Sequence, residues 1–223
     1  MAERLAFGER PVVILADPLA PFLSVGANQN IVRDIDLPFC CEHSIPVIRR
    51  RLGGGAFYID RDQLIFHVVV PAKHAPWPFS PMLSTSAAAV AATLRDFGIA
   101  ARLRPRGDVV VDGRKIAGTA GAEICGKVIV GGTFVFAFDA LLMARCLRLT
   151  SERYRTRVAK LFERGMTTIR RELGEPPARG LVKARFIANL ARCLDAEPRE
   201  IGPSTAGQAA IAAETLEALA LHG

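Results

Sequence analysis

The sequence predicts an α+β fold, with a sheet built first along the chain and helices last. Short apolar runs bounded by turn residues dominate the chain up to about residue 140. From Ala140 onward, apolar residues recur at helical spacing. Half of the 223 residues are hydrophobic, which is enough for a full core. Because strands and helices are segregated along the chain, α+β is favoured. We expect one domain over residues 1–223, sheet-rich over about 1–140 and helical over about 141–223.

Five short strands are predicted before the first clear helix. They are expected at about residues 11–15, 21–26, 45–50, 55–60 and 64–70. A helix then begins at Ser80-Pro81, where serine can cap the first turn and proline fits its fixed backbone angle. It is expected to run through Phe97 and to end at Gly98.

The second half of the chain is predicted to add four more strands and then helices. The strands are expected at about residues 99–104, 108–112, 115–124 and 127–138. Asp112-Gly113 is a strong hairpin signal, and Gly126-Lys127 is the predicted turn of the last pair. The tail is expected to form three or four helices, divided at Gly165, residues 174–177 and Pro203, with one apolar face carrying Tyr154, Val158, Leu161 and Phe162.

Cysteine usage and hydropathy indicate the compartment. The five cysteines show no CxxC or zinc-ligand spacing, so reduced thiols in a cytoplasm are the simplest interpretation. No segment approaches the ~20 consecutive apolar residues that a membrane helix needs, and the N-terminus lacks a signal-peptide pattern. We therefore expect a cytoplasmic protein with no membrane partner.

A run of arginines followed by glycines, within residues 49–60, is the first candidate binding motif. Gly53, Gly54 and Gly55 let the backbone pass close to a ligand, because glycine has no side chain and accepts positive φ. The preceding arginines offer planar donor groups suited to phosphate or carboxylate. The alternative is a tight turn between two strands with arginines in solvent.

The second motif, residues 112–120, lies about sixty residues later and contains Lys115. Apolar runs on both sides of Asp112-Gly113 predict a hairpin, which puts Lys115 near the start of a strand. A lysine held there can meet a phosphate as a point charge. Taken alone, Lys115 is equally well explained as a surface lysine beside a turn.

Both motifs, in this order and at this separation, together with the upstream Asn28-Gln29-Asn30, resemble the lipoate-protein ligase A family. The resemblance covers most of residues 11–140. It implies a large α+β domain with a mixed β-sheet, of the type shared with biotin ligases and octanoyltransferases, followed by C-terminal helices. It also implies a two-step reaction, in which lipoate or octanoate and ATP give an acyl-adenylate, and a lysine of an acceptor lipoyl domain then takes the acyl group.

The resemblance assigns a catalytic role to Lys115, which in this family contacts the adenylate phosphate and the acyl carbonyl. A fixed cation there stabilises negative charge that develops on oxygen. Asp108 corresponds to a family position near magnesium, a cation that prefers oxygen ligands, although an aspartate before a strand can simply be a turn residue. The residues that the resemblance assigns to substrate and ATP binding are Gln29, Asn30, Arg50, Gly53, Gly54, Gly55, Ala56, Asp60, Lys115, Ile116, Ala117, Gly118 and Thr133.

The chain departs from the family pattern at several positions. Ile59 stands where the family has a histidine before Asp60, and Leu52 stands where it has a small hydroxyl residue. Asp62-Gln63 replace a glycine-asparagine pair, and the family's histidine-glycine-threonine begins here with Gly131. Two imidazoles are therefore missing from the expected groove. The alternative function is a non-catalytic relative that binds lipoate, an adenylate or a lipoyl domain.

Cysteine positions bear on the choice between ligase and octanoyltransferase. The octanoyltransferases related to this family use a cysteine nucleophile instead of ATP, and the ligase-like members carry it before the lysine motif. The segment between Phe97 and Arg114 contains no cysteine, which favours ATP-dependent activation. Cys125 follows the lysine motif among apolar strand residues, and we expect it to be an inert core cysteine. His67 is expected to be a strand residue with a local hydrogen bond.

Charge is concentrated in the helical part. The segment from Arg145 to Arg192 holds thirteen basic and four acidic residues, whereas the whole chain has a net charge of +7. Such a surface can steer an acidic acceptor protein, or it can be a solvated helix face paired with its own glutamates. Sparse aromatic residues argue against nucleic acid. Ligases of this family often carry a C-terminal accessory domain; we expect it to be absent or reduced here, so that activation requires a separate accessory chain.

Overall fold

The computed structural model describes residues 11–75, 78, 80–105 and 107–199, so the predicted break at Pro203 lies outside the described residues. The strands are β1 Val12–Ala16, β2 Phe22–Val25, β3 Val47–Arg49, β4 Phe57–Ile59, β5 Gln63–Pro71, β6 Arg102–Arg104, β7 Asp108–Val111, β8 Arg114–Ile124 and β9 Lys127–Val135. The helices are α1 Ile31–Asp34, α2 Leu37–Glu42, α3 Ser80–Asp96, α4 Ala140–Cys146, α5 Glu152–Gly165, α6 Ile169–Leu173 and α7 Arg179–Cys193, and Ala72–His74 form a 3₁₀ turn.

The strands form two sheets, and the predicted α+β class is confirmed. The large sheet has the order β1-β5-β9-β8-β7-β6, with every neighbouring pair antiparallel. The small sheet has the order β3-β2-β4, in which β2 pairs with β3 in parallel and with β4 antiparallel. The mixed pairing that we expected is thus confined to the small sheet.

Two tight turns build the central hairpins of the large sheet. Asp112 and Gly113 both have positive φ, at 48° and 78°, as the predicted hairpin turn requires. The turn between β8 and β9 uses Cys125 and Gly126, with φ of 50° and 70°, one residue earlier than predicted. Cys125 is therefore exposed at a turn, and the expectation of a core cysteine was wrong.

Helices α3 and α7 cover one face of the large sheet and form the main core with it. The rings of Phe66, Phe134 and Phe186 pack against one another, with Phe66 and Phe186 centroids 4.7 Å apart. All three side chains are buried. Burial of large aromatic side chains is a dominant favourable term in folding, so this cluster ties α7 to the middle of the sheet.

A second core lies between the small sheet and helices α2 and α4. Leu23 and Val25 of β2 pack there with Met143, and the buried thiols of Cys40 and Cys146 lie in the same cluster. The backbone N–H of Asp36 donates to the Cys146 carbonyl, which fixes the start of α2 against the end of α4. The small sheet is thereby held as a rigid support for the loops that follow its strands.

Two helix predictions were wrong. Helices α1 and α2 precede β3, where no helix was expected, and they begin at the side-chain caps Asn30 and Asp36. On α5, Tyr154 and Leu161 are 47% and 58% exposed, so the apolar face of this helix is narrower than predicted. Among the described residues, no helix is both long and apolar enough to span a membrane.

Candidate active site

The face of the large sheet opposite α3 and α7 carries the candidate site. Directly opposed residues on neighbouring strands share a face, so the strand register aligns residues in rows across this face. Three of these rows are Asp108–Gly118–Thr133–Ile65, then Ala120–Gly131–His67–Ile14, then Ala122–Ile129–Val69–Val12. We call this surface the loop face, because Leu52 of the glycine motif packs on it.

Lys115 lies at the polar end of the loop face. Its Nζ would be 2.5 Å from a side-chain carbon added to Gly118, so the amine lies over that glycine and beside Thr133 of the next strand. The Lys115 carbonyl accepts from the Thr167 N–H at 2.9 Å, which anchors the strand to the start of α6. The lysine therefore has a fixed backbone and a side chain directed along the sheet.

Asp108 pairs with two cations. Its Oδ1 lies 2.6 Å from Lys115 Nζ and its Oδ2 lies 2.6 Å from Arg104 Nη2. Partial burial acts to raise the pKa of Asp108, but the hydrogen bonds from Lys115 and Arg104 outweigh burial and hold this pKa below its ordinary value. The carboxylate is therefore ionised at neutral pH.

The described residues do not form a metal site by themselves, since no group of three or more His, Cys, Asp or Glu side chains is suitably placed among them. Asp108 supplies one carboxylate to the loop face, and both of its oxygens already meet cations. Magnesium commonly binds through one or two carboxylates together with substrate phosphates. The described residues therefore offer one carboxylate here, already paired with two cations.

Arg50 organises the glycine motif by donating to backbone carbonyls within it. Its Nη2 donates to the carbonyls of Gly53 at 2.8 Å and Gly55 at 2.7 Å, and its Nη1 donates to Ser24 of β2. Burial lowers the pKa of Arg50, although arginine stays charged at any physiological pH. In this structure Arg50 therefore holds the loop in shape instead of extending toward a ligand.

Close backbone packing fixes one glycine of the motif and leaves two open. A side chain on Gly26 would overlap the Gly54 carbonyl, and Gly54 itself has a φ of 97°. By contrast, a side-chain carbon on Gly53 or Gly55 would have no neighbour within 4 Å. The protein's own packing does not explain the absence of side chains at these two positions.

The predicted residues Gln29 and Asn30 lie beside the glycine motif but serve local structure. The Gln29 side-chain oxygen accepts from the Gly26 N–H at 3.0 Å, and the Asn30 oxygen caps α1 through the Arg33 N–H. Arg49, which was not among the predicted residues, donates to the carbonyls of Gly26, Ala27 and Gln29. Its position beside Arg50 in the motif was the signal available in the sequence.

Four predicted residues contribute no side chain to the loop face in this structure. Ile116 and Ala117 point into the main core, where they are 1% and 2% exposed, and Ala56 packs against the second core. Asp60 lies in the turn between β4 and β5, where its carboxylate accepts from the Asp62 N–H at 2.8 Å. Burial raises the pKa of Asp60. Any ligand contact by Ile116 or Ala117 has to be made by the backbone.

His67 lies in the middle row, directly opposite Gly131. A side-chain carbon on Gly131 would be 2.7 Å from Leu52 Cδ1 and 2.9 Å from His67 Cδ2, so both side chains occupy the space above that glycine. The imidazole makes no hydrogen bond with the described residues, contrary to the expected local bond. Burial lowers the pKa of His67 to about 4, so the ring is neutral near pH 7.

No cysteine lies near Lys115 on the loop face of the described sheet. Cys40 and Cys146 are buried in the second core, and Cys41 and Cys193 are exposed on helices. Cys125 follows the far end of β8, about 30 Å from Lys115 at the usual rise per strand residue.

Comparison with known proteins identifies the family. A family model described as the lipoyl protein ligase A/B catalytic domain matches residues 1–191. The lipoate-protein ligase LplJ of Bacillus subtilis is 35% identical over 126 residues, which are 56% of this chain and 37% of that protein. The octanoyltransferase LipM of Kyrpidia tusciae is 26% identical over 207 residues, covering 81% of this chain and 75% of that protein.

Solved structures show the same fold. A bipartite lipoate protein ligase of Thermoplasma acidophilum superposes with a TM-score of 0.80 at 23% identity, covering 91% of this chain and 78% of that one. An ATP-bound lipoate-protein ligase A superposes with a TM-score of 0.73 at 21% identity, covering 91% and 80% of the two chains. The match to LplJ spans well under two thirds of that ligase. On the family match over residues 1–191, this chain belongs to the lipoyl protein ligase A/B catalytic domain family.

Proposed function

We propose that the protein is an ATP-dependent lipoate-protein ligase that uses lipoate or octanoate. In the first step a carboxylate oxygen attacks the α-phosphate of ATP, the acyl-adenylate forms and pyrophosphate leaves. In the second step the amine of an acceptor lysine attacks the acyl carbonyl, an amide forms and AMP leaves. ATP would enter as its magnesium complex, with Asp108 as the carboxylate nearest to Lys115.

The observation that carries this proposal is the position of Lys115 over Gly118. A cation at the polar end of the loop face, beside Thr133, can neutralise the phosphate and stabilise charge that develops on the carbonyl oxygen. The apolar residues farther along this face, Val69 and Ile129 with Leu52, suit the hydrocarbon chain of the acid. ATP as co-substrate agrees with the ATP-bound relative of the same fold.

Octanoyl transfer without ATP is the second candidate, because an octanoyltransferase is among the relatives. That chemistry needs a nucleophile such as a cysteine thiolate within reach of the acyl carbonyl. All five cysteines lie within the described residues, and none is near Lys115 on the loop face. This distribution supports the ligase over the transferase.

The test is the mass of a lipoyl-type acceptor domain after incubation with the protein, magnesium ATP and lipoate, with Lys115→Ala in parallel. We expect a lipoyl mass gain that depends on ATP and falls at least about a hundredfold in rate in the variant, as losses of such charge-stabilising groups do. Wild-type turnover by Lys115→Ala would refute the role of the lysine. Binding of lipoyl-adenylate without turnover would support a non-catalytic binding protein.

The acceptor is proposed to be an acidic lipoyl domain that docks on the outer face of α5. Exposed Arg153, Arg157, Lys160 and Arg164 lie on this helix, and three of them line a shallow depression with Thr156. The bipartite relative was solved with its E2 lipoyl domain, which supports an acceptor of this class and a separate accessory chain.

A further inference from the structure

The middle row of the loop face holds an imidazole that no hydrogen bond within the described residues explains. His67 extends from β5 across the α-carbon of Gly131 on β9, with its Nε2 3.1 Å from the position of an added side-chain carbon. A neutral imidazole has one donor and one acceptor, and a half-buried ring normally finds partners for them. The ring therefore has hydrogen-bonding capacity directed along the loop face.

The rows on either side of His67 differ in chemistry. One row carries Asp108 and Thr133, with Lys115 above Gly118, and is polar. The other carries Val69 and Ile129 and is apolar. Successive residues on one face of a strand are separated by about 7 Å. A carboxylic acid whose carbonyl lies at Lys115 and whose chain extends over the apolar row has to pass His67.

Gly131 makes this arrangement possible. Because Gly131 carries no side chain, the space above it is filled by His67 from the neighbouring strand and by Leu52 from the segment before the glycines. A side chain at 131 would force His67 or Leu52 to shift, because the contacts in their present positions would be 2.7–2.9 Å.

We propose that His67, which extends from β5 over Gly131 of β9, forms with Leu52 the wall of the acyl subsite that contacts the bound acid or acyl-adenylate. This inference rests on the proposed function. It makes His67 a specificity-determining residue for an apolar acyl chain that ends in a carboxylate or adenylate.

The test moves the imidazole from position 67 to position 131 by substitution. Binding is measured by calorimetry with lipoyl sulfamoyl adenosine, a non-hydrolysable mimic of lipoyl-adenylate. His67→Val is expected to weaken binding about tenfold, the effect of losing one hydrogen bond and its contact. Gly131→His alone should lower both binding and thermal stability, because the new side chain overlaps His67 and Leu52. The double variant His67→Val/Gly131→His should return to within about threefold of wild type. His74→Ala, which removes an exposed imidazole elsewhere, should bind normally.

A spectroscopic measurement keeps the test decisive if a variant folds poorly. In wild-type protein, the ring resonances of His67, assigned by their loss in His67→Val or by through-bond correlation, should shift on addition of the mimic, while those of His74 should not. Unchanged His67 resonances, normal binding by His67→Val, or a double variant as weak as His67→Val would each overturn the inference. Failure of wild-type protein to bind the mimic would instead overturn the proposed function, and the inference with it.

Discussion

At the scale of single residues, the Asp108 carboxylate fixes the position of the Lys115 amine. The carboxylate lies between Lys115 and Arg104, so it holds the lysine amine over Gly118 in the absence of substrate. The Lys115 and Asp108 side chains are 39% and 23% exposed, and ion pairs of this kind contribute at most about 1 kcal/mol to stability. The pair therefore matters more for the position of the amine than for the fold.

Replacement of Asp108 by asparagine should separate these two contributions. The thermal midpoint should change little, whereas ATP–pyrophosphate exchange with lipoate should fall about ten- to hundredfold, because a neutral amide holds magnesium and the lysine amine less well than a carboxylate. Transfer from preformed lipoyl-adenylate should be less affected, since no metal–phosphate complex of ATP is needed. An equal loss in both half-reactions would contradict the assignment of Asp108 to the nucleotide.

The lowered pKa of His67 predicts how the stability of the protein depends on pH. Its pKa in the fold is about 4, below the ordinary value of 6.5, so between these values the unfolded chain binds a proton that the native ring does not. Stability from this group is complete above about pH 6.5 and is lost as pH falls toward 4, by at most about 3 kcal/mol. Asp108, whose pKa lies below its ordinary value, loses its contribution only at lower pH.

Urea unfolding of wild type and His67→Val at pH 7 and pH 4.5 measures this effect. The wild-type protein should lose more unfolding free energy between the two pH values than the variant, and the difference reports His67 alone. Identical pH dependence in the two proteins would mean that the imidazole is already solvated in the fold. His74→Ala is the matched control for removal of a solvent-exposed histidine.

At the scale of elements, the glycine motif separates structural glycines from those that suggest a ligand. Gly26→Ala and Gly54→Ala should each destabilise the protein by about 1–3 kcal/mol, the first by overlap with the Gly54 carbonyl and the second by its positive φ. Gly53→Ala and Gly55→Ala have open space and should leave the thermal midpoint nearly unchanged.

If the loop covers the acyl-adenylate, these two variants should still bind lipoyl sulfamoyl adenosine more weakly. Wild-type affinity in both would argue that the ligand does not approach this backbone.

The elements that sequence reasoning missed are those with too few residues to show a period. Helices α1 and α2 have four and six residues, less than two full turns, so no apolar face recurs in the sequence. Their caps, Asn30 and Asp36, were readable signals, but Asn30 was interpreted as a ligand-binding residue instead. The long hairpin of β7 to β9 was predicted well, because Asp112-Gly113 specifies its turn locally.

Pairing between distant strands could not be predicted from local pattern. The parallel pairing of β2 with β3 and the placement of β5 against β9 join segments that no turn connects directly. For the same reason the position of His67 opposite Gly131 was not visible in the sequence, which showed only a histidine in an apolar strand. By contrast, Lys115 and Gly118 are three residues apart on β8, so their proximity follows from a single strand.

At the scale of the whole molecule, charge distribution predicts where the acceptor docks. Arg157 and Lys160 are exposed on α5, which packs on α4 and β8 and so lies near the Lys115 end of the large sheet. Arg157→Glu/Lys160→Glu should raise the KM for an acidic lipoyl domain about tenfold or more and reduce its salt dependence, while ATP–pyrophosphate exchange stays unchanged. Arg185→Glu/Arg192→Glu, which reverses two exposed charges on α7, is the matched control. Equal effects from both substitutions would show that only net charge matters.

The remaining prediction at this scale concerns which of the two half-reactions depends on a second chain. We expect a separate accessory chain to accelerate adenylate formation, whereas acyl transfer needs only the site on the sheet. The purified protein should therefore modify an acceptor domain much faster when given lipoyl-adenylate than when given lipoate and magnesium ATP, because activation by the chain alone is slow. Lys115→Ala should be deficient in both assays, which distinguishes a missing partner from a missing active site. Full ligation from ATP by the purified chain alone would show that the loops around Lys115 are already arranged for activation.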